Sequence, residues 1–211
     1  MKTEDLVRAM AADTTPQAGT GRVAALGLPL ALIAAASLLW LALGFRSDLV
    51  QTMEKPVQAL RLMLVLAIAG AGLGMVLGLA RPTGTARRSV ALVGGVAVAA
   101  LLLWLQTWYV TPDNAVVSAL LGNTLAVCLI AIPTLSVLPA LCLFAAVKAG
   151  ATTRPGLAGA GIGLAAGGFA AAVYSLHCTE DNPLFYVTWY GLAIAIVTLG
   201  CSLAGHRLLR W

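Results

Sequence analysis

A short polar segment concentrates the side chains that could do chemistry in a chain otherwise rich in Ala, Leu, Gly and Val. His177 stands next to Cys178, and Glu180 and Asp181 follow shortly after. A thiolate beside an imidazole can react with oxidants, and the same two groups can bind a soft or borderline metal ion. The segment therefore indicates either a thiol-reactive site or a metal site.

The metal interpretation is the weaker one, because the spacing of these residues matches no dedicated metal site. Two carboxylates just before a helix are explained by capping and by the helix dipole, with Asn182 or Asp181 as the cap and Pro183 at the first helical position. We therefore expect no resident metal ion and no other cofactor, although incidental binding of a thiophilic ion remains an open alternative.

The elements that must position this segment are membrane-spanning helices. Of the 211 residues, 60% are hydrophobic and 10% are charged, and the mean hydropathy is +0.93. Soluble domains carry about 25% charged residues, so the sequence predicts an all-α, polytopic membrane protein. Six apolar runs near the length of roughly 20 residues that a transmembrane helix needs lie at about 23–45, 57–80, 89–110, 117–147, 156–176 and 184–204. The first run is too long for a signal peptide and lacks a convincing cleavage site, so we expect it to remain as a span.

Several residues inside these runs lead to specific expectations. Arg61 is the one charge within a predicted span, and we expect it to extend to the membrane surface. The over-long fourth run contains Pro133 and Pro139, which predict a kink or a tilt. Four aromatic side chains near the start of the sixth run are expected at the membrane–water interface: Phe185, Tyr186, Trp189 and Tyr190.

Glycine recurs every fourth residue in two of the runs, at Gly70, Gly74 and Gly78 and again at Gly159, Gly163 and Gly167. This spacing places each set on one helix face and lets backbones approach closely. Packing within the bundle is the favoured interpretation, because a chain with six spans supplies its own partner helices. A dimer interface is the alternative.

The basic residues are distributed unequally between alternate loops. Seven Arg or Lys residues lie in the 81–88 and 148–155 loops and the C-terminal tail, against two in the other loops. The positive-inside rule therefore predicts that both termini are cytoplasmic (N-in/C-in) and that the His-Cys segment is outside. The net charge of +5 flanks apolar spans and forms no basic domain, so we expect no direct contact with nucleic acid.

The four cysteines form neither a Cys-x-x-Cys motif nor a disulfide framework. Cys142 and Cys201 fall toward the cytoplasmic side, where apolar surroundings make thiols inert. Cys178 is expected at the outer surface, and Cys128 enters from the same side, roughly 10–16 Å deeper. A disulfide needs Cα atoms within about 7 Å of each other, which requires the turn to fold inward or the fourth span to start late.

The N-terminal segment, residues 1–22, precedes the six-helix domain at 23–211 and is the only sizeable soluble part. Leu6, Val7 and Met10 would share one face of a short helix there. A helix of about ten residues is marginal alone in water, so this face needs a partner protein or the bilayer interface. A frayed tail is the alternative interpretation.

Three parts of the chain also carry a resemblance to a known family. The run from Tyr174 to Phe185, with Trp189 and Tyr190 after it, resembles the signature of the NrsF family of small multi-span membrane anti-sigma factors. The first seven residues, and Cys128 with the segment 132–136, are also similar to that family.

The resemblance implies a function and candidate residues. It implies an anti-sigma factor of the bacterial inner membrane that holds an extracytoplasmic-function (ECF) sigma factor through its cytoplasmic face. A pair of cysteines at the positions of Cys128 and Cys178 is linked to stress sensing in that family, which makes these residues and the adjacent His177 the candidate sensing site. Leu6, Val7 and Met10 are the candidate residues for binding the sigma factor.

Two other functions stay open from sequence alone. The main alternative is a small membrane transporter or channel subunit, although such proteins use buried charge pairs or paired broken helices near the membrane midplane. A membrane scaffold without a signalling role is the third. The chain shows no plausible pair of nucleophile and base, so we do not expect an enzyme. The oligomeric state is undetermined.

Overall fold

Helices account for all the regular secondary structure in the computed structural model, which describes residues 3–4, 19–81 and 83–209. They are α1 (Thr20–Ala42), α2 (Leu49–Met53), α3 (Pro56–Leu79), α4 (Arg87–Val110), α5 (Asp113–Leu121), α6 (Leu125–Lys148), α7 (Pro155–Tyr174) and α8 (Pro183–Leu208). Six segments are long and apolar enough to cross a membrane, with α5 and α6 together forming one of them. The predicted all-α fold with six candidate spans is confirmed.

Successive spans are joined alternately at two ends of the bundle. We call one the turn end, where residues 43–55, 111–124 and 175–182 lie. We call the other the basic end, where residues 80–86 and 149–154 lie together with the start of α1 and the end of α8. The two ends differ in chemistry, because the turn end carries acidic side chains and the basic end carries exposed Arg and Lys.

The centre of the bundle is α7, in which 13 of the 20 residues are Gly or Ala. Its small side chains let α8 and α3 approach its backbone on opposite sides. A methyl group added at Gly163 would collide with the backbone of Thr198 in α8, and one added at Gly168 would lie 2.8 Å from the backbone nitrogen of Ala69 in α3. The favoured interpretation of the α7 glycines, packing within the bundle, is confirmed.

The glycines of α3 behave less uniformly. A Cβ at Gly70 would meet open space, whereas one at Gly78 would meet the carbonyl oxygen of Thr85 at 2.7 Å. The close approach of α3 to α7 is made instead at Gly72, where a Cβ would collide with the backbone of Ala165. Packing within the bundle is therefore confirmed for Gly74 and Gly78, whose Cβ atoms would meet Ser89 and Thr85, but not for Gly70.

The fourth predicted span is two helices. α5 ends at Leu121, and the chain turns at Gly122, which has a φ of +53° and lies under Phe185 and Glu180. Only glycine combines that backbone conformation with such a close approach. α6 then runs as one helix through Pro133 and Pro139, so the break occurs 11 residues before the first proline.

The outermost helix is α4, which contributes no buried residue to the core. It contacts α3 and α8, and Trp104 donates from Nε1 to the hydroxyl of Thr188 at 3.0 Å. This loose attachment leaves a groove between α4 and the rest of the bundle.

Candidate functional site

The segment that joins α7 to α8 folds into the bundle. The backbone N–H groups of His177 and Cys178 both donate to the carbonyl oxygen of Tyr174, which winds the chain inward after the end of α7. Cys178 is 0% exposed as a result. The expectation that Cys178 lies at the surface is therefore wrong.

Arg61 reaches this turn from α3. Its guanidinium donates to the carbonyl oxygens of Glu180 at 2.8 Å and Ser175 at 3.3 Å, and it lies 3.6 Å from a carboxylate oxygen of Asp181. The residue is 0% exposed. The expectation that Arg61 extends to the membrane surface is wrong, because the inward-folded turn supplies the acceptors and the counter-charge that a buried guanidinium needs.

Arg46 holds the same turn from the loop after α1. Its Nη1 donates to the carbonyl oxygen of Cys178 and to Asp181, both at 3.0 Å, and its Nε donates to Asp48 at 2.7 Å. The hydrogen bonds from Arg46 hold the pKa of the Asp48 carboxyl well below its usual range. The carboxylate of Asp48 therefore stays ionised, and the Arg46 pair intact, at acidic pH values where a free aspartate would be protonated.

The acidic residues of the turn bind groups from other elements. Asp181 is shared by the two arginines, and Glu180 accepts a hydrogen bond from the backbone N–H of Asn123 at 2.7 Å. The cap of α8 is Asn182, whose side chain accepts from the N–H of Leu184 at 2.9 Å, with Pro183 at the first helical position. Asn182 was one of the two predicted caps, and this prediction is confirmed. The explanation of Glu180 and Asp181 as helix-end groups is wrong, because both bind groups from other elements.

Cys128 and Cys178 lie at the same end of the bundle. The sulfur of Cys178 is 3.9 Å from the hydroxyl of Thr124, and the carbonyl of Thr124 accepts the N–H of Cys128 one helical turn further along. Both thiols are free, and both belong to one buried cluster with Tyr174 and Tyr190. One of the two alternatives for their approach is met, because the turn folds inward, whereas the fourth span starts early, at Asp113.

The ring of His177 lies 5.9 Å from the ring of Tyr174 and reaches the loop after α1. Its Nδ1 lies 3.0 Å from the carbonyl oxygen of Gly44, which can only accept, so Nδ1 carries the proton in this contact. The backbone N–H of Arg46 meanwhile donates to the carbonyl of Leu176 at 3.2 Å. The histidine therefore helps to fix the turn against residues 44–46.

The aromatic side chains at the start of α8 are mostly interior. Phe185, Tyr186 and Tyr190 are buried, and the guanidinium of Arg61 lies 5.9 Å from the ring centres of both tyrosines. Trp189 is half-buried and donates to the carbonyl of Leu120 at 2.7 Å. Three of the four side chains therefore pack inside the bundle, and their predicted depth at the membrane–water interface stays a prediction.

The remaining candidates lie elsewhere. Cys142 and Cys201 are half-buried in the half of the bundle toward the basic end, where the Cys142 sulfur occupies the space beside Gly27. Leu6, Val7 and Met10 lie outside the described residues. Within the described ranges, no group of three or more His, Cys, Asp or Glu side chains converges as a metal-binding cluster.

Sequence reasoning missed the two arginines that organise this site. The signal was present for Arg61, since a charge within an apolar span is a functional candidate by default. Arg46 gave no such signal, because its loop also contains Asp48 and looks like an ordinary solvated connection.

The basic end has the opposite character to the turn end. Seven Arg and Lys side chains there are exposed: Arg22, Arg81, Arg87, Arg88, Lys148, Arg154 and Arg207. Ion pairs among the residues that the structure describes involve only Arg46 and Arg61, both at the turn end. These features define a polytopic α-helical protein with a rigidly held, thiol-containing turn at one end and a basic surface at the other.

The chain belongs to the NrsF family. That family, described as a negative regulator of sigma F, matches residues 9–211. The chain is 36% identical over 219 residues to the anti-sigma-F factor NrsF of Caulobacter vibrioides (strain NA1000 / CB15N), with 100% of both chains covered. It is 34% identical over 221 residues to the probable anti-sigma-F factor NrsF of Azospira oryzae, again over the full length of both. No solved structure matches the chain.

Proposed function

We propose that this protein is a membrane-bound anti-sigma factor of the bacterial inner membrane. It would sequester an ECF sigma factor through its cytoplasmic face and release it when stress modifies cysteines near the outer side. The observation that carries the proposal is the full-length similarity to two proteins named as a known and a probable anti-sigma-F factor. Six helices of transmembrane length support the membrane location.

The orientation follows from the charges at the two ends of the bundle. The exposed Arg and Lys residues of the basic end would face the cytoplasm, as the positive-inside rule requires. The turn end, which holds Asp48, Glu180 and Asp181, would face the periplasm. Both termini would then be cytoplasmic, where a sigma factor is accessible.

Two surfaces are available to the sigma factor in this orientation. One is the N-terminal segment with Leu6, Val7 and Met10, and the other is the ring of exposed basic side chains at the basic end. An acidic surface on the sigma factor would complement that ring, and apolar contacts from the segment would add affinity. The anti-sigma factor itself would make no direct contact with nucleic acid.

The sensing chemistry would use Cys128 and Cys178. A peroxide could accept two electrons from the two thiols, which would form one disulfide and release water and an alcohol or a second water. A thiophilic metal ion could instead bind both sulfurs as thiolates, with loss of two protons. The shared position of both residues beside Thr124 supports either reaction.

Release would follow from repacking of the bundle. A bond to Cys128 would draw Cys178 out of its contact with Thr124 and disturb the carbonyl groups that Arg46 and Arg61 hold. α6 and α7, which carry or border the two thiols, are joined at the basic end by residues 149–154. A change between two packing arrangements of these helices would therefore alter the cytoplasmic face directly.

Co-purification tests the partner. The protein is expressed with an affinity tag together with the two-region sigma factor encoded nearest to it, extracted in detergent and eluted. We expect the ECF sigma factor to co-elute, whereas the housekeeping sigma factor of the same cell should not. If every ECF sigma factor of the cell stays in the flow-through under reducing conditions, while the membrane protein itself elutes folded, the proposed partner is wrong.

A further inference from the structure

The groove beside α4 has the dimensions of a ligand site. It lies between α3, α4 and α8 and has a volume of about 520 Å³. Along α8 its wall runs from Tyr186 to Ser202, which is about 24 Å at a rise of 1.5 Å per residue. Small-molecule sites in proteins occupy about 300–1,000 Å³, so the groove is large enough for one long, narrow molecule.

The groove opens to the side of the bundle. Several residues of its wall are exposed, among them Ala97, Gly191, Ala195 and Leu199. A Cβ added at Gly191 would meet nothing within 4 Å, so no group of the described residues fills the space beside it. In a membrane this side faces the acyl chains of the lipids, which can enter laterally.

Unpaired polar groups occur only at the turn end of the groove. Arg61, Tyr186 and Tyr190 line that end and are 0%, 3% and 2% exposed. The Nε of Arg61 and both phenol hydroxyls have no hydrogen-bond partner among the described residues. At the other end, by contrast, the hydroxyls of Thr198 and Ser202 donate to the carbonyls of Ile194 and Gly156.

This arrangement favours a ligand with one oxygen acceptor and a long apolar tail. A buried donor without a partner destabilises the protein, and an acceptor oxygen of a ligand would remove that cost. The charge of Arg61 is already matched by Asp181 at 3.6 Å, so a neutral carbonyl suits the site better than a phosphate. Arg61 lies five residues into α3, about 7.5 Å along its axis, near the depth at which the glycerol esters of a bilayer meet the hydrocarbon.

We propose that this groove binds one acyl chain of a membrane phospholipid from the leaflet at the turn end. An ester carbonyl of the lipid accepts from Arg61 Nε and from one of the tyrosine hydroxyls, and the chain runs along α8 past Gly191 toward Ser202. This inference rests on the membrane location proposed above but not on binding of a sigma factor. The lipid is then in contact with the arginine that holds the turn of Cys178.

Photolabelling tests the site in the full-length protein. The chain is inserted into phosphatidylcholine vesicles that contain a phospholipid with a photoactivatable acyl chain, and labelled peptides are mapped by mass spectrometry. We expect labelling concentrated on residues 186–202. Gly191→Leu, whose Cβ would meet no atom of the described residues within 4 Å and whose side chain would occupy space in the groove, should lower this labelling at least about tenfold. Gly200→Leu is the matched control, because Gly200 also faces open space on α8 but lies outside the groove wall.

Removal of the hydroxyls tests the polar end separately. Tyr186→Phe combined with Tyr190→Phe keeps the ring volumes, and it should weaken lipid retention through detergent washing while the fold stays intact.

Equal labelling of the two glycine variants would overturn the proposal. So would the recovery of an isoprenoid quinone or a second copy of the chain in the groove. A protein that alkaline carbonate washes off the vesicles would overturn the membrane location as well, whereas a retained but unlabelled protein contradicts the lipid site alone.

Discussion

The guanidinium of Arg61 donates a hydrogen bond at 2.8 Å to the main-chain carbonyl of Glu180, across 119 positions of sequence. Arg46 binds the adjacent carbonyl of Cys178 from a third element. The turn that holds the candidate sensing thiol is thus fixed by side chains from outside the turn. Its conformation therefore depends on the packing of the whole bundle, which is what a coupled sensor requires.

Replacement of Arg61 by Met should destabilise the bundle and release the turn. The change removes the donors to Ser175 and Glu180 and one of the two positive charges at Asp181. Loss of one partner of a buried ion pair costs about 3–5 kcal/mol, so the melting temperature in detergent should fall by roughly 6–20 °C. Arg88→Met, at an exposed and unpaired position, is the matched control and should melt like the parent. An unchanged melting temperature for the Arg61 variant would mean that the turn is not held by this residue.

The burial of Cys178 should make its thiol slow to react. One variant keeps Cys178 as the only cysteine, and the matched variant carries Cys178→Ser and Thr179→Cys in that background. A water-soluble maleimide should react at least about tenfold more slowly with the first variant, because residue 179 is exposed. Addition of Arg46→Ala to the first variant should accelerate the reaction, since it frees the carbonyl of Cys178. Similar rates at positions 178 and 179 would place the turn outside the bundle. The measurement is mass spectrometry of the modified protein over time.

Sensing by the cysteine pair predicts a specific pattern in the cell. Cys128→Ser and Cys178→Ser should each abolish induction of the sigma factor's target genes by oxidant or thiophilic metal, and the double variant should be no worse than either. Cys142→Ser and Cys201→Ser serve as controls and should induce normally. A reporter gene under the sigma factor's promoter gives the readout, with protein abundance checked in each strain. Normal induction in the Cys178→Ser strain would remove the thiols from the sensing mechanism.

The close contact between α7 and α3 predicts an unusual effect of a single methyl group. Gly168→Ala places a Cβ 2.8–2.9 Å from backbone and side-chain atoms of Val65 and Ala69, and such overpacking costs about 1–3 kcal/mol. Gly200→Ala adds the same methyl group in open space and should be neutral or slightly stabilising, by up to about 1 kcal/mol. Thermal unfolding of the two variants in the same detergent compares them. A Gly168→Ala protein as stable as its control would contradict the helix contact.

The proposed role of the N-terminal segment predicts that two negative charges introduced there abolish repression of the sigma factor's target genes. Leu6→Asp with Met10→Asp should release the sigma factor, because burial of such side chains contributes about 1.5–3 kcal/mol each and its loss lowers affinity at least about tenfold. Thr14→Asp with Thr15→Asp adds the same charge within the same segment and should leave repression intact. Reporter activity and membrane abundance are measured together. Full repression by the first variant at normal abundance would exclude this segment from the binding surface.

The spans could be predicted from sequence because hydrophobic length is a local property. The expected range of about 57–80 for the second span corresponds to α3 at Pro56–Leu79, and the other bounds agree to within about four residues except where α5 and α6 divide. That division depends on Gly122, which a hydropathy pattern does not distinguish from the many glycines inside helices. The signal was its position among Asn and Thr rather than in an apolar run.

The environment of the turn could not be predicted in the same way. Whether Arg61 reaches water or a carbonyl group depends on where the turn lies in three dimensions, and the turn lies inside because two arginines are available to hold it. The turn is held inside by the two arginines, and the buried arginines in turn need the carbonyl groups of the turn. The same holds for the aromatic residues of α8, because Tyr186 and Tyr190 pack beside the buried guanidinium of Arg61.

The composition of α7 has a consequence for how the protein is made. This helix is the shortest of the six candidate spans and has the lowest peak hydropathy among them, 1.6. Because α7 has few bulky side chains, its transfer from the insertion machinery into lipid alone is only weakly favourable in free energy. Its most extensive contacts are with α8, which is synthesised last. We therefore expect α7 and α8 to enter the bilayer as a hairpin. A chain truncated at residue 182 should be a substrate for membrane quality-control proteases, even though five of its six spans have been completed.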